Sequence, residues 1–436
     1  MDWLEALLEG ANKILGGRIL PAFLLFTGVF FLVKLRFCIF RPPRRLSPSK
    51  SNGGFRALTM ALAGTLGVGN ISGVALAIAL GGAGAIFWMW VSAFAAMALK
   101  YAEITLAMAH KRQSADGEVR GGAMYYVRDT IGGKAGRVLG GIFALLCLAT
   151  SLTMGGMMQS NAAAETAQSL FSVPPIATGA LLCGIVAFTV FGGAKKISAL
   201  TLRMIPLLTI IYVAVSLWIV FTNITRLPSV FWRILSDAFS PAAAGGGFLG
   251  VLFSRGMRFG VTRGLLSNEA GCGTAPMAHA TAKTEIPARQ GLFGVAEVAI
   301  DTLLLCTLTA LVILIAFEEV PVASGVLIAV AAYGEGLGPF AAYFIGASLT
   351  VFALGTAICF AYYGETGVAA VTKSRAALFA FRILYCLILP LGAVFTPDAV
   401  WGLSDLFLAL LALINLTTLL LARKEIAHLS APLIRK

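Results

Sequence analysis

The chain has 436 residues, of which 58% are hydrophobic and only 12% are charged. An ordinary soluble domain carries roughly 25% charged residues, so this composition excludes a soluble globular fold and indicates an integral membrane protein. The net charge of +13 does not indicate a nucleic-acid partner, because the lysines and arginines lie mostly in short loops between apolar stretches.

Eleven apolar stretches run along the chain, separated by turn residues or charged residues. A helix crosses the hydrocarbon of a bilayer with roughly 20 apolar residues, and charge-free runs such as 205–220 approach this length. Acidic residues precede the first stretch, so we expect a retained helix there rather than a cleaved signal peptide. The predicted fold is all-α, a single transmembrane transporter domain over residues 1–436. Its predicted spans 1 to 11 cover residues 19–36, 57–80, 85–109, 139–161, 176–193, 204–222, 247–265, 290–317, 340–364, 376–396 and 401–421.

The basic residues predict how the spans are oriented, because cytoplasmic loops carry an excess of lysine and arginine. If span 1 runs inward, only Lys13, Arg18, Arg226 and Arg233 fall outside, out of 33 lysines and arginines. The others then lie inside or at inner helix ends. We therefore expect a multi-pass protein of the cell membrane with its N-terminus outside and its C-terminus in the cytoplasm.

Span 2 carries GTLGVGNISG at residues 64–73, starting in its first half, and this is a poor sequence for an unbroken helix. Each glycine disfavours a helix by up to about 1 kcal/mol relative to alanine. Non-helical backbone at membrane depth persists only where it lines a cavity or is buried in protein. The alternative is close helix packing through small residues, but Asn70 favours a break because an amide in hydrocarbon needs a partner.

Span 7 carries GMRFGVTRG at residues 256–264, and we expect a second break there, with two arginines near the inner end of the span. Spans 2 and 7 occupy corresponding places if the core consists of two five-helix repeats, residues 57–222 and 247–421, after an extra first helix at 19–36. A repeat with an odd number of helices has to be inserted upside down, so these repeats are inverted. Paired broken helices indicate a transporter with its site near the bilayer midplane.

A broken helix offers polar backbone groups inside the membrane. Amide N–H groups at the start of one half attract a carboxylate through the helix dipole. The free carbonyl groups of the other half can bind an ammonium group or a sodium ion. Such a site suits a zwitterion and a cation without any charged side chain at its centre.

Several stretches of the chain carry a specific resemblance to one family. They are Gly67–Trp90 (GVGNISGVALAIALGGAGAIFWMW), Gly121–Tyr126 (GGAMYY), Gly260–Ala280 (GVTRGLLSNEAGCGTAPMAHA), Glu297–Leu314 (EVAIDTLLLCTLTALVIL) and Ala361–Glu365 (AYYGE). At these residues the chain resembles the alanine or glycine:cation symporter family (sodium:alanine symporter type), whose members take up alanine or glycine with sodium or protons. The resemblance covers spans 2 to 9 and implies an eleven-helix, inverted-repeat fold like that of the bacterial leucine transporter.

The resemblance also implies where substrate and cation bind. The implied substrate pocket consists of Asn70, Gln159, Phe259, Gly260, Thr356 and Phe360. Its three polar side chains would form hydrogen bonds with the amino-acid head group, and its two phenylalanines would close around the side chain. The implied sodium site consists of backbone carbonyls near Gly67 and Val68 with the Thr356 hydroxyl. Two alternatives stay open: an ordinary interhelical hydrogen bond for Gln159, and a bond to the carbonyl four residues earlier for Thr356.

The chain departs from the usual family sequence at a few of these places. Phe360 stands where the family usually has Trp, Gly355 where it has Ser, and Ala83 and Ala123 where it has Pro. A smaller pocket wall and one lost hydroxyl favour a somewhat larger substrate or an altered cation affinity.

Two carboxylates of span 8 are candidates for coupling. Glu297 and Asp301 are four residues apart, so they share a helix face at about 6 Å from each other. Asp301 falls near the midplane, where a carboxylate is functional by default. Two interpretations stay open, namely proton coupling and pairing with the arginines of span 7. We expect Glu103 to be paired or to cap a helix, and Lys100 to extend its ammonium group towards the cytoplasmic surface.

These observations predict a secondary transporter that carries a small neutral amino acid, with alanine or glycine favoured, into the cytoplasm together with sodium by alternating access. The alternatives are a proton-coupled amino acid symporter and a transporter-like amino acid sensor. No catalytic set, CxxC pair or histidine cluster is visible, so we expect no enzyme, no cofactor and no metal site beyond sodium as co-substrate. The expected partners are the amino acid, sodium and the lipid bilayer, without nucleic acid.

Overall fold

The computed structural model describes Leu8 and residues 10–40, 53–113, 119–192, 194–239, 255–284, 286–321 and 323–434. Nearly all of these residues are helical, and two short strands, β1 (Arg112–Gln113) and β2 (Val119–Arg120), pair antiparallel. The α-helices are α1 (Leu20–Lys34), α2 (Gly53–Thr65), α3 (Val74–Gly81), α4 (Gly84–Ala109), α5 (Ala123–Ile131), α6 (Gly133–Thr150), α7 (Met158–Phe171), α8 (Pro175–Phe191), α9 (Ala194–Thr222), α10 (Leu227–Ala238), α11 (Arg255–Asn268), α12 (Ala275–His279), α13 (Pro287–Val298), α14 (Thr307–Ala316), α15 (Gly325–Leu337), α16 (Pro339–Val371), α17 (Arg375–Val394), α18 (Pro397–Leu421), α19 (Arg423–Leu429) and α20 (Ala431–Ile434).

The predicted all-α membrane fold class is confirmed. Within the described residues, eight helical runs are long and apolar enough to cross a bilayer, and the bent pair α2–α3 makes a ninth. Two shorter apolar helices, α8 and α15, accompany them. Each predicted span overlaps one of these helices or α11, although residues 247–254 of span 7 lie outside the described part. The chain is therefore a multi-pass membrane protein.

Helix α4 lies at the centre of the bundle. Most of its residues are buried, and its first half packs against α11 and its second half against α13. A helix that is apolar on all sides is typical of a membrane bundle core. Its buried polar residues, among them Lys100 and Glu103, therefore need partners on the neighbouring helices.

The break predicted in span 2 is confirmed. Helix α2 ends at Thr65, and α2 and the helical segment that follows, which includes α3, differ in direction by 57°. Glycine is required at this break because a Cβ atom on Gly67 would lie 2.5 Å from Thr356 Oγ1. The sequence therefore brings the backbone of span 2 against the side chains of α16.

Three π-helical stretches interrupt the spans near this break: Gly69–Gly73 in span 2, Ser151–Met157 between α6 and α7, and Ala299–Cys306 between α13 and α14. A π-turn replaces the ordinary backbone hydrogen bonds of the α-helix and is frequent at functional sites. The first of these stretches contains Asn70, the third contains Asp301, and the second ends two residues before Gln159.

The break predicted in span 7 at residues 256–264 was wrong. Residues Arg255–Asn268 form one continuous helix, α11. Its glycines lie four residues apart and face α4 and the end of α3. A Cβ atom on Gly260 would lie 2.2 Å from the carbonyl oxygen of Ala85, and one on Gly264 would lie 3.0 Å from Ser92 Oγ. These glycines therefore permit close helix packing, as small residues do in membranes.

The helical path is interrupted further on, between α11 and α12. Glu269 (φ 52°), Gly271 (φ 83°) and Gly273 (φ 75°) have left-handed backbone conformations, which glycine adopts without steric cost. The buried Glu103 carboxylate accepts the N–H groups of Gly271 and Gly273, both at 3.1 Å. The free backbone donors at this turn are therefore satisfied by a side chain of α4, and the expectation that Glu103 is paired holds.

Candidate functional site

Asn70 is the centre of a buried polar cluster formed by the π-helical stretch of span 2, α11 and span 8. Its side-chain oxygen accepts the N–H of Gly67 at 3.0 Å, across the break. Its Nδ2 atom donates to Ser267 Oγ at 2.9 Å and to Asp301 Oδ1 at 2.7 Å. One amide therefore connects the broken backbone of span 2 to both neighbouring helices.

Gln159 and Thr356 reach the same break from the other side. Gln159 Oε1 accepts the N–H of Val68 at 3.3 Å, and its Nε2 atom donates to the carbonyl of Met154 in the preceding π-helical stretch. The Thr356 hydroxyl donates to the carbonyls of Ala63 (3.2 Å) and Leu66 (3.4 Å) rather than to its own helix.

Of the predicted site residues, the structure thus brings together Asn70, Gln159, Thr356, Gly67 and Val68. The backbone N–H groups of Gly67 and Val68 are held by side-chain oxygens. The carbonyls that accept from Thr356 are not those of Gly67 and Val68, which were predicted to bind sodium, but those of Leu66, one residue before Gly67, and Ala63, four residues before it.

Phe360 lies one helical turn after Thr356 and is fully buried. A Cβ atom on Gly155 would lie 2.1 Å from Phe360 Cβ, so the phenylalanine packs directly on the π-helical stretch that leads to Gln159. Its ring also contacts Tyr363 edge to face, with 5.1 Å between centroids. Phe360 therefore packs on the same π-helical stretch to which Gln159 is hydrogen bonded.

Phe259 and Gly260 lie elsewhere. Gly260 packs against α4, as described above. Phe259 lines a cavity of about 530 Å³ together with Gly17, Thr262 and Trp401. This cavity is distinct from the Asn70 cluster, because its walls are the start of the helical run Gly10–Lys34, α11 and α18.

The arginines of span 7 were placed wrongly. Arg258 stacks on Phe259 and lies against Gly17, next to the start of α1, so these arginines share the end of the bundle where the N-terminal helix begins. Arg263 forms a bidentate ion pair with Asp405 at 2.9 and 3.1 Å. The proposed pairing of these arginines with Glu297 or Asp301 is therefore wrong.

Glu297 instead belongs to a buried ionic chain that the sequence did not predict. Its carboxylate lies 3.2 Å from Lys100 Nζ and 2.9 Å from His279 Nε2. Gln290 Nε2 donates to the other ring nitrogen of His279 at 2.7 Å. Lys100 is completely buried, so the expectation that it extends to the cytoplasmic surface was wrong. Its position on a largely apolar helix, close to Glu103, was the available signal of a buried partner.

Asp301 has a different environment from Glu297. Its carboxylate accepts hydrogen bonds from Asn70, from Ser267 at 2.7 Å and from Thr302 at 2.8 Å. All these donors are neutral. Asp301 is fully buried. The ion pairs with the arginines of span 7 that the sequence suggested for it do not form.

Comparison with known proteins identifies the family. The family model described as the sodium:alanine symporter family matches residues 1–431. The chain belongs to this family. The resemblance inferred from the sequence motifs is thereby confirmed, and transport, symport and a transmembrane location follow as properties of the family.

Curated relatives match this family member along almost their whole length. The sodium/alanine symporter AgcS of Methanococcus maripaludis is 35% identical, over 97% of this chain and 95% of that protein. The probable sodium/glutamine symporter GlnT of Bacillus subtilis is 35% identical, over 97% and 89%. The amino-acid carrier protein AlsT of Bacillus subtilis is 36% identical, over 90% and 84%.

Among solved structures, a manganese transporter of Eremococcus coleocola has a similar fold. Its TM-score is 0.58 at 16% identity, and the match covers 86% of this chain and 81% of that one. At this identity the likeness concerns the fold alone.

Proposed function

We propose that this family member is a secondary active transporter that carries a small neutral amino acid, with alanine or glycine favoured, into the cytoplasm together with sodium by alternating access. The observation that carries the proposal is the convergence of Asn70, Gln159 and Thr356 on the break of span 2. Family membership supports transport rather than catalysis. Sodium then acts as co-substrate, without a resident cofactor.

The proposed substrate site consists of Asn70, Gln159, Thr356 and Phe360. Side-chain oxygens of Asn70 and Gln159 accept the backbone N–H groups at the break, and these are donors that a substrate carboxylate can take over. The side chains of Asn70 and Gln159 would then turn towards the ammonium group of the amino acid. Phe259 and Gly260 are left out of this proposal because they lie against the other cavity and α4.

The proposed sodium site consists of the Thr356 hydroxyl and backbone carbonyls of residues 63–68. Hydroxyl and carbonyl oxygens are hard ligands that suit an alkali cation. The Thr356 hydroxyl already lies 3.2 Å from the Ala63 carbonyl and 3.4 Å from that of Leu66. A small rotation of this side chain would present three oxygens to one ion.

We further propose eleven membrane spans in a single domain, with inverted repeats at residues 57–222 and 247–421 after the first helix at 19–36. The N-terminus would lie outside the cell membrane and the C-terminus in the cytoplasm. The described break in span 2 and the interruption after α11 support the correspondence of the two repeats, because the first lies within the first span of repeat one and the second directly follows the first helix of repeat two.

The test is accumulation of labelled alanine and glycine by proteoliposomes under an imposed sodium gradient. We expect uptake to exceed that of protein-free liposomes and to collapse when choline replaces sodium. Equal uptake with and without sodium would contradict sodium coupling.

Two alternatives have their own outcomes in the same assay. A proton-coupled symporter would accumulate alanine under a proton gradient without sodium. The observation that favours this alternative is the buried Asp301 carboxylate, whose hydrogen-bond donors are all neutral. An amino acid sensor would bind labelled alanine in detergent but accumulate none under either gradient.

A further inference from the structure

An apolar groove lies between α6, α16 and α17, each of which belongs to a helical run long and apolar enough to cross a bilayer. Its volume is about 350 Å³. The groove exists because the helices carry small residues where they line it, namely Ala144, Gly367, Ala377 and Ala380. A Cβ atom on Gly367 would lie 2.9 Å from the carbonyl oxygen of Ala144, so α6 and α16 approach each other closely here. The groove is therefore a defined space between packed helices.

The groove opens on the outer surface of the helix bundle. Leu145, Val371 and Leu384 line it and are each about half exposed, at 58%, 56% and 46%. Among the described residues that line the groove, Thr372 alone has a polar side chain, and it directly follows the end of α16. Water finds no polar partners along such a wall. In a bilayer, the groove is therefore suited to a lipid acyl chain.

Two cationic side chains lie next to the polar end of the groove. Lys373 belongs to the short connection between α16 and α17, and Arg375 is the first residue of α17. They alternate in sequence with the lining residue Thr372 and precede the lining residue Ala377. Both are exposed, and neither forms an ion pair within the part of the chain that the structure describes. The positive end of the α17 dipole adds to their attraction for an anion.

We propose that this groove binds an anionic phospholipid, with an acyl chain along α17 and the phosphate at Lys373 and Arg375. At 1.5 Å per residue, α17 offers about 10 Å of apolar wall between Ala377 and Leu384, which suits the part of the chain nearest the headgroup. Arginine and lysine donate charge-assisted hydrogen bonds to phosphate. A zwitterionic headgroup offers the same phosphate but brings its own cation, so it should bind more weakly at this pair.

Phe381 connects the groove to the proposed substrate site. It lines the groove and is buried. A Cβ atom on Gly364 would lie 2.2 Å from Phe381 Cζ and 2.5 Å from Ser151 Oγ, so the ring lies next to the start of the π-helical stretch Ser151–Met157. A bound acyl chain would hold this stretch in the arrangement that presents Gln159, and alanine affinity should rise through this pre-organisation. This consequence rests on the proposed function, whereas lipid binding does not.

The test is binding of dioleoylphosphatidylglycerol and dioleoylphosphatidylcholine to the delipidated full-length protein in detergent, followed by native mass spectrometry. We expect wild type to bind phosphatidylglycerol more tightly. Lys373→Gln combined with Arg375→Gln should weaken phosphatidylglycerol about thirtyfold, at about fivefold per cation, and leave phosphatidylcholine unchanged. Ala380→Trp fills the groove and should weaken both lipids. Arg423→Gln combined with Lys424→Gln, the same loss of charge at exposed residues of α19, is the matched control and should bind as wild type does.

Several outcomes would overturn the lipid site. Wild-type affinity for phosphatidylglycerol in the variant without Lys373 and Arg375 would do so, and so would an equal loss of affinity in the control. Displacement of the lipid by an equal concentration of glycerol 3-phosphate would show that the acyl chain contributes nothing. A delipidated dimer that Ala380→Trp converts into a monomer would show that a second copy of the chain covers the groove.

Two further outcomes keep the lipid site and the proposed function apart. If Ala380→Trp does not fold, the charge variants and their control carry the test of the site. Labelled alanine should bind more tightly when phosphatidylglycerol is present, and this gain should be absent in Ala380→Trp. Lipid binding as expected without any alanine binding would contradict the proposed function and leave the lipid site standing.

Discussion

Two buried carboxylates lie one helical turn apart on span 8 and have opposite surroundings. Glu297 lies between Lys100 and His279, so its charge is balanced by cationic or ionisable side chains. Asp301 is surrounded by the neutral donors of Asn70, Ser267 and Thr302. A carboxylate therefore has an ionic partner within the protein at position 297. At position 301 its charge can be balanced only by a cation or a proton from outside.

The two surroundings also differ in what they connect. The Glu297 chain of contacts joins α4, α12 and α13. Together with the hydrogen bond that Glu103 accepts from the Gly271 N–H, it holds the backbone at the turn after α11. The Asp301 cluster joins the π-helical stretches of spans 2 and 8 to α11. We infer that the contacts of Glu297 and Glu103 stabilise the helix bundle, whereas the Asp301 cluster binds what is transported. The following variants test these two roles.

The largest effect is expected from Glu297→Gln. This change leaves the Lys100 ammonium buried without a carboxylate, and breaking a buried pair in this way costs about 3–5 kcal/mol. The apparent free energy of unfolding in detergent, followed by heating, should fall by this order. The double variant Lys100→Met with Glu297→Leu is the control and should recover most of the loss. A single variant as stable as wild type would show that the ion pair does not hold the bundle.

Asn70→Ala and Gln159→Ala should act on transport instead. Each removes an amide that contacts the break of span 2, and a hydrogen bond to a charged group contributes about 1.5–3 kcal/mol, so alanine uptake should fall roughly tenfold or more. Asn161→Ala is the matched control, because this buried amide bonds only to the carbonyls of Gly392 and Phe395 among the described contacts. Normal uptake by both Asn70→Ala and Gln159→Ala would remove the proposed pocket.

The sequence predicted the break in span 2 because Asn70 distinguished it from a run of packing glycines. It did not predict the continuous α11, since glycines spaced by four suit both a broken helix and a close helix contact, and only the carbonyl of Ala85 facing Gly260 decides between them. The sequence could not predict the partners of Glu297 either. Lys100 lies almost two hundred residues away in sequence, so its contact with Glu297 depends on how α4 packs against α13.

A smaller effect is expected from Phe360→Trp. Phe360 packs on Gly155 without free space, so the larger ring should narrow the pocket next to Gln159. One methylene of substrate in a tight pocket is worth about 1–3 kcal/mol, and the ratio of alanine to leucine uptake should rise at least several-fold. Phe360→Leu, which removes volume, should move this ratio the other way. Improved leucine uptake by Phe360→Trp would contradict the proposed pocket wall.

The smallest effect is expected outside the membrane, at Asp129. Partial burial alone would raise the pKa of Asp129, but hydrogen bonds from Arg112 and His110 outweigh it and hold this pKa below its ordinary value of 3.8. Its contribution to stability is therefore present at neutral pH and is lost as the pH falls below 3.8. Because solvent screens this group, Asp129→Asn should cost at most about 1 kcal/mol, measured by thermal unfolding at neutral pH. A loss of unfolding free energy as large as that of Glu297→Gln would contradict the expected difference between surface and buried ion pairs.

The most direct test of the account is equilibrium binding of labelled alanine to the purified protein at a series of sodium concentrations. If substrate and sodium meet at the break of span 2, alanine affinity should rise with sodium, and sodium affinity should rise equally with alanine, because linkage is reciprocal. The dependence should disappear in Thr356→Val, which loses the hydroxyl ligand of the proposed sodium site, and remain in Glu297→Gln protein that is still folded. Alanine binding that is independent of sodium in wild type would contradict the central claim.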